Sequence, residues 1–355
     1  MKNSYDITII GAGIIGLSTA ILLQKTWPNL RIAILDKSLA GSGASFFGGA
    51  ADVPFASTPW HRHLIDLGQQ VQNKFPILQP PAHIQKSYWI AEKIDVNRLH
   101  NSIWPNDLQE VKQTDFEEFP IRLLDSQQAF ISQQGRVGSP RLACEKFANY
   151  LRKQGNTTLF EGTSVERVDP EKSWEFRIET RCGQAFRSRA VVLAAGPWLP
   201  SFSNLIPSGI EIRTKKVIAF HIDYPTLGGG FNIQYLDPDM YFLPDPLQKD
   251  RWIFCIKSEE WDVHPDQPSL SISSVERELA ICLLEKYAPK LLPCLHGARV
   301  FCDSYQGVAQ PYVSAHPEVN GLIIAGAGSG SGYRLASGIA QQALIQLQKQ
   351  NPFFK

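Results

Sequence analysis

The alternation of apolar and polar positions divides the chain into buried strands, helices and strand-rich stretches. Asp6-Ile7-Thr8-Ile9-Ile10 is a short β-branched run ending at Gly11, the pattern of a parallel strand buried on both faces. From Ile14 to Lys25 the period becomes helical, with Ile14, Leu17 and Ile21 spaced along successive turns. Trp27-Pro28-Asn29 ends it, because proline cannot continue the hydrogen-bond ladder. Arg31 to Leu35 is a second buried strand closing on Asp36, which completes a βαβ unit. Further on, Pro140 starts a predicted helix to Gln154 with Gly155 as its C-cap. Thr158-Leu159-Phe160 reads as a strand, and Val165 to Ala190 as antiparallel strands with turns at Asp169-Pro170 and Cys182-Gly183. Ala190 to Gly196 is another buried strand running into a glycine. Residues 208–260 are strand-rich, with turn signals at Gly228-Gly229-Gly230 and Asp237-Pro238, and Val275 to Tyr287 is an amphipathic helix. Gly321 to Gly326 is a last buried strand, entering a glycine-rich turn and a helix through Ile345. No repeat interrupts this order. Nucleotide-binding pieces are therefore scattered, with a mostly β domain between them.

Composition narrows the class. Of 355 residues, 43% are hydrophobic and 19% charged, as in an ordinary globular enzyme. With 35 basic and 34 acidic side chains, no field of one sign recommends nucleic acid as a partner. Met1 to Asp6 is polar and is read as no secretory signal, and no apolar run approaches the roughly 18 residues of a membrane span. The six cysteines form no CxxC pair and suggest no metal site. Reduced thiols in a cytoplasmic protein are expected.

Gly11-x-Gly13-x-x-Gly16 lies between a strand and a helix, and Asp36 ends the next strand 20 residues after Gly16. This is the setting of a dinucleotide fingerprint. Gly11 permits the turn, Gly13 admits a pyrophosphate, and Gly16 allows close helix–strand packing. Ala12, Ile14 and Ile15 supply the intervening backbone at a helix N-terminus that favours anions. Asp36, with Lys37 beside it, can accept hydrogen bonds from ribose hydroxyls. The fingerprint does not choose between FAD and NAD.

Four more segments carry a resemblance: Gly43 to Gly49, Gly138 to Gly155, Val191 to Trp198 and Gly321 to Gly338. In motif order the chain resembles the D-amino acid oxidase superfamily of flavoproteins, in particular glycine oxidase and monomeric sarcosine oxidase. The resemblance implies an α/β fold: a Rossmann-like FAD-binding domain (1–80, 138–205 and 300–355) and an inserted antiparallel-sheet substrate domain (81–137 and 206–299). It implies non-covalent FAD. Gly43, Ala44, Ser45, Gly48 and Gly49 would border the flavin ring, Val165 the adenine, and Ala195, Gly196 and Trp198 the cofactor. Gly328, Ser329, Gly330, Ser331, Gly332 and Tyr333 would press on the pyrimidine end. Arg334 falls on the basic residue that holds the substrate carboxylate, through two parallel hydrogen bonds. Tyr241 resembles an active-site tyrosine, and Arg62, between His61 and His63, follows the flavin loop where another carboxylate-binding arginine occurs.

Three departures stand out. Asp303 occupies the place of a carboxylate-binding arginine of glycine oxidase, so an amine is a better partner for it. Phe254 stands where sarcosine oxidase has its oxygen-activating lysine, with Lys257 out of register. Cys302 lies within one residue of the cysteine that holds flavin covalently in sarcosine oxidase and is read here as a buried thiol. The implied reaction is oxidation of an amino acid or secondary amine: hydride passes from Cα to flavin N5, an imine results, and O2 or another acceptor reoxidises the flavin. The alternatives are a 2-hydroxy acid dehydrogenase on the same fold and a non-catalytic flavin-binding subunit.

Overall fold

The β-branched run near the start forms the strand Ser4–Ile10, whose Ile7 and Ile9 are completely buried. In this computed structural model, residues 3–350 and 352–354 are described, apart from 50, 117, 118, 173, 174, 227–229 and 269. Among the described residues the strands form two sheets, of eight and nine strands.

In the first sheet Ser4–Ile10 lies parallel between Ala185–Leu193 and Ile32–Leu35. Thr157–Phe160 extends one side, and Leu322–Gly326 followed by antiparallel Tyr312–Ala315 extends the other. The helix Ile14–Thr26 is buried almost all round, Ser18 and Thr19 included. It is covered by Pro140–Arg152 and Ala336–Gln350 as well as by the sheet. The carboxyl ends of Ser4–Ile10, Ile32–Leu35, Ala185–Leu193 and Leu322–Gly326 converge at one edge, where open α/β sheets bind ligands.

The second sheet runs Leu295–Gln306, Ile212–Asp223, Arg251–Ile256, Met240–Pro244, Phe231–Tyr235, Ala82–Glu92, Gln127–Gly138, Ala51–Asp52, with Gln109–Val111 beside Gln127–Gly138. The strand period sends Ile218, Phe220, Phe242 and Phe254 to the outer face, packed with Ala280 and Leu284 of the helix Ser274–Tyr287. Ala219, Tyr241 and Cys255 go to the inner face. Residue 300, expected as a domain boundary, falls inside the strand Leu295–Gln306 of this sheet, and Ala51–Asp52 also belongs to it.

Several local expectations shift. The first middle helix ends at Arg152 with Lys153 as C-cap, not at Gly155, because the Lys153 amide turns back to Tyr150 and Leu151 and closes the ladder early. Asp169-Pro170 is not a turn but lies inside the strand Val165–Lys172, which pairs on one side only. Such an edge tolerates a proline that donates no hydrogen bond. The last helix spans Ala336–Gln350, so Ser331 to Arg334 form a turn before it. Asp237-Pro238 is a turn, whereas Gly228 and Gly229 of the other signal, like Met1 and Lys2, lie outside the described residues.

Lys216 is the second sheet's principal buried charge. Its ammonium bonds Glu276 at 2.7 Å, Glu260 at 2.5 Å and the Ser271 carbonyl at 3.1 Å. Glu276 also closes the capping box with Ser273 and accepts from the Ser258 hydroxyl. Burial raises the Glu276 pKa, but Lys216 and the serines outweigh it and hold the carboxyl below its ordinary 4.5. Lys216→Met should cost about 3 kcal/mol in urea unfolding, the low end for a broken buried pair, because Ser258 and Ser273 still bond Glu276. The stabilisation from Glu276 is complete above its unfolded pKa and is lost as pH falls through the lower folded value.

Candidate active site

A cavity of about 1180 Å³ opens between the converging strand ends and the inner face of the second sheet. That exceeds the roughly 300–1,000 Å³ of ordinary small-molecule pockets, so a dinucleotide and a substrate can share it.

The first wall is the fingerprint turn. Gly11 has φ +104°, and a Cβ there would lie 2.3 Å from the Ala194 carbonyl oxygen. One at Gly16 would lie 2.0 Å from the Gly11 carbonyl oxygen. Gly13 is the N-cap of Ile14–Thr26 with no side-chain cap. Instead the Ile14 amide donates to Ser45 Oγ at 3.1 Å, so an oxygen already sits where an anionic group is favoured. Asp36 accepts from the Ala12 amide at 2.7 Å and the Ser38 amide at 2.8 Å. Burial raises its pKa against the pull of those amides. Lys37 pairs with Asp266 and lies 3.9 Å over the Trp198 ring, while Trp198 donates to Asp266 at 3.0 Å. A loop from the second sheet is thereby pinned beside the nucleotide end.

Most of the residues singled out in the sequence line this cavity: Gly11, Gly13, Ile14, Ile15, Asp36 and Lys37, then Gly43, Ala44, Ser45, Gly48 and Gly49 around the short helix Ala44–Phe47, Val165, Ala195 to Trp198, and Gly328 to Arg334. Ala12 and Gly16 stand behind the lining and act through backbone and packing.

The guanidinium of Arg334 donates to the Phe55 carbonyl and, at 2.7 Å, to the Ser331 hydroxyl. It makes no ion pair among the described residues. Its nearby acid, Asp52, is taken by Arg136 at 3.1 Å. Burial lowers the Arg334 pKa to about 10, with Asp52 opposing. Tyr241, in the same lining, lies beside Gly49 and Cys255, and burial pushes its hydroxyl well above the usual range.

The structure departs from expectation at Arg62 and Asp303. Arg62 does not line the cavity. It donates to the Asn101 carbonyl at 2.6 Å and stacks over Trp104, because the helix Pro59–Lys74 turns it outward and presents His61 instead. Burial, then Arg334, lowers the His61 pKa to about 4, leaving a neutral imidazole. Asp303 is in the cavity, yet both its oxygens accept backbone amides, Ser304 at 2.8 Å and Gly330 at 3.1 Å. It holds the glycine-rich loop rather than awaiting an amine. Phe254 packs in the outer core and Lys257 pairs with Glu259 at 2.9 Å. Cys302 faces away from the cavity, donates to the Val263 carbonyl and is raised to about 11 by burial, so no thiolate is offered to a flavin.

The sequence reading missed Lys215, Trp261, Tyr305 and Cys255, all in the cavity wall. The period-2 pattern puts Lys215 opposite Lys216, but only tertiary packing says which face meets the cavity. Among the described residues no group of three or more His, Cys, Asp or Glu could hold a metal ion. Among the described residues no helix is long and apolar enough to cross a membrane.

The Gly11 and Gly16 cradle, the Ser45 oxygen at the helix start and the fixed Asp36 carboxylate fit the pyrophosphate and ribose of FAD, with the second sheet left to face the ring. Such a Rossmann-type site, opposed by a sheet that is antiparallel except where Phe231–Tyr235 runs parallel to Ala82–Glu92, defines a dinucleotide-dependent oxidoreductase. The chain belongs to the FAD-dependent oxidoreductase family known as DAO, whose profile matches residues 6–344. It is 27% identical over 239 residues to the glycine oxidase of Geobacillus kaustophilus, covering 61% of each chain. It is 42% identical over 64 residues to a thiamine thiazole synthase of Sclerotinia sclerotiorum, covering 18% of this chain and 20% of that protein. These matches thus span less than two thirds of either relative. In fold, the chain matches the G. kaustophilus glycine oxidase structure with a TM-score of 0.76 at 19% identity, over 99% of this chain and 97% of that one. An L-proline dehydrogenase of P. horikoshii matches with a TM-score of 0.77 at 18% identity, over 99% and 95%.

Proposed function

We propose that the protein oxidises the C–N bond of an amino acid or a related secondary amine, with the substrate carboxylate held by Arg334. The observation that carries this reading is the guanidinium itself: half-buried in the cavity wall, bonded to two neutral oxygens, and without an ion pair among the described residues. A cation kept that way gains most from a carboxylate ligand.

Gly11 to Gly16 and Asp36 would hold the pyrophosphate and adenosine ribose of FAD, Val165 would border the adenine, and the loops at Gly43 to Gly49 and Gly328 to Gly332 would border the ring. FAD, when bound, supplies a two-electron acceptor for the C–H bond next to nitrogen. The chain's own contribution is orientation. Arg334 fixes the carboxylate end. Tyr241 stands in the same lining, and its raised pKa keeps the hydroxyl protonated and able to donate. No side chain need act as a strong base, since a neutral amine carries no proton that must first be removed. The electron acceptor of the second half-reaction is O2 or another oxidant, and a cytoplasmic setting accords with six free cysteines.

One observation favours a second reading. His61 lines the cavity beside Arg334 with its Nε2 unpartnered, the placement that oxidation of a 2-hydroxy acid asks of a base, although a pKa of about 4 makes it a weak one. Anaerobic mixing of the purified protein with D-, L-, N-methyl and cyclic amino acids, and separately with 2-hydroxy acids, decides between them. Bleaching of the flavin band by an amino acid is the expected result. Bleaching by hydroxy acids alone would move the reading to His61, and a flavin bleached by neither class would mark a non-catalytic flavin-binding subunit.

A further inference from the structure

We propose that Lys215, Trp261 and Tyr305 form a second anchor in the cavity, a side-chain subsite that selects substrates bearing another acidic group. The inference rests on Arg334 as the first carboxylate anchor and names the substrate class: amino acids with an anionic side chain.

Lys215 and Lys216 are adjacent on the strand Ile212–Asp223 and so point to opposite faces. Lys216 also contributes to the cavity lining, but its ammonium goes outward to Glu276 and Glu260. Lys215 goes inward, where it is 7% exposed and lines the cavity. Its ammonium lies 4.9 Å from the centre of the Trp261 ring and 5.6 Å from that of Tyr305. Among the described residues it makes no hydrogen bond and no ion pair.

Two of the three acids around it are engaged elsewhere. Asp303, its cross-strand partner, gives both oxygens to backbone amides. Glu259 is paired with Lys257. Asp239, the third, stands in the same cavity wall and acts on Lys215 through its field and not through a bond. Taking an ammonium out of water costs several kcal/mol unless a partner restores its bonds, and the two ring faces repay only part of that. Burial accordingly lowers the Lys215 pKa. An anion entering between the rings recovers the rest.

The wall is fixed rather than adaptive. Trp261 forms a backbone bridge with Lys215, and the next residue, Asp262, pairs with Arg213 at 2.5 Å. Arg334 is bounded by Phe55, Ser331, His61 and Asp52, and shares none of these neighbours with Lys215. One cavity therefore carries two separate cationic anchors, which suits a molecule with two acidic ends and penalises one with a neutral side chain.

The test uses the FAD-loaded protein with glutarate and pentanoate, a dicarboxylate and a monocarboxylate of equal carbon count. Binding is followed by perturbation of the flavin spectrum and by calorimetry. Glutarate is expected to bind at least about tenfold more tightly than pentanoate, and Lys215→Met to remove the difference by weakening glutarate. Lys215→Met deletes an unpaired buried charge, so its melting temperature should hold or rise. Equal affinities in the unaltered protein, or a glutarate preference that survives Lys215→Met, would overturn the subsite. Anaerobic reduction by glutamate and by norvaline, in both enantiomers, separates the two proposals. A glutarate preference with no reduction by any amino acid keeps the subsite and sinks the oxidation reading. Reduction by norvaline with no glutarate preference does the reverse.

Discussion

Arg334→Met should lower kcat/KM for carboxylate-bearing substrates by about 10²- to 10³-fold, the cost of truncating one partner of a desolvated charge pair. The loss follows from geometry. In the free protein the guanidinium is held by the Phe55 carbonyl and Ser331 hydroxyl but by no carboxylate, since Asp52 is taken by Arg136. A methionine of similar length fills the space, removes both hydrogen bonds and leaves a substrate carboxylate facing an apolar wall. Arg334→Lys should fall between the two, because a point charge replaces a planar fork. The control is an amine without a carboxylate. Its rate should change little in Arg334→Met, because it never used the guanidinium. An equal loss for both substrate types would show that Arg334 supports the fold and not the substrate, and a thermal melt of the variant checks the same point.

Alanine substitution of the fingerprint glycines should separate folding from cofactor retention. At Gly11 and Gly16 a Cβ would meet backbone oxygen at 2.3 and 2.0 Å, and no rotamer change can move a carbonyl. Gly11 also holds φ +104°, which side-chain-bearing residues rarely adopt. Gly11→Ala and Gly16→Ala should each lose about 3 kcal/mol or more of stability and purify without flavin. Gly13 is different. Its Cβ would lie 3.4 Å from Ser45 Oγ, an ordinary contact, so the empty fold accepts it. The added methyl instead occupies the approach that a pyrophosphate needs. Gly13→Ala should therefore fold with an unchanged melting temperature while binding FAD at least about tenfold more weakly. Flavin-to-protein absorbance ratio and circular dichroism read the two effects independently. Retention of full flavin by Gly13→Ala would mean that the nucleotide lies elsewhere in the cavity.

Much of the nucleotide half was legible because its determinants are local. A strand, a turn, a helix and a second strand within 36 residues fix where Gly11, Gly13, Gly16 and Asp36 sit relative to one another. The substrate half was less legible because its residues are assembled across sheet pairings. Arg62 and His61 are neighbours in sequence, and only the rotation of the helix Pro59–Lys74 against its surroundings decides that His61 meets the cavity and Arg62 meets Asn101 and Trp104. Asp303 has the right address for a substrate contact. What the sequence could not show is that the Gly330 amide would arrive from 27 residues away to claim its second oxygen.

The sequence by itself determined the family, the βαβ nucleotide unit and the order of the motifs, since these depend on period, turn chemistry and spacing along the chain. Tertiary structure alone decided which face of the second sheet looks inward. That choice makes Lys216 a buried structural cation bonded to Glu276, and its neighbour Lys215 an unpaired one between Trp261 and Tyr305. The two lysines are chemically identical in the sequence. A strand's period says that they part, and only the packing of the sheet against the nucleotide domain says where each one goes.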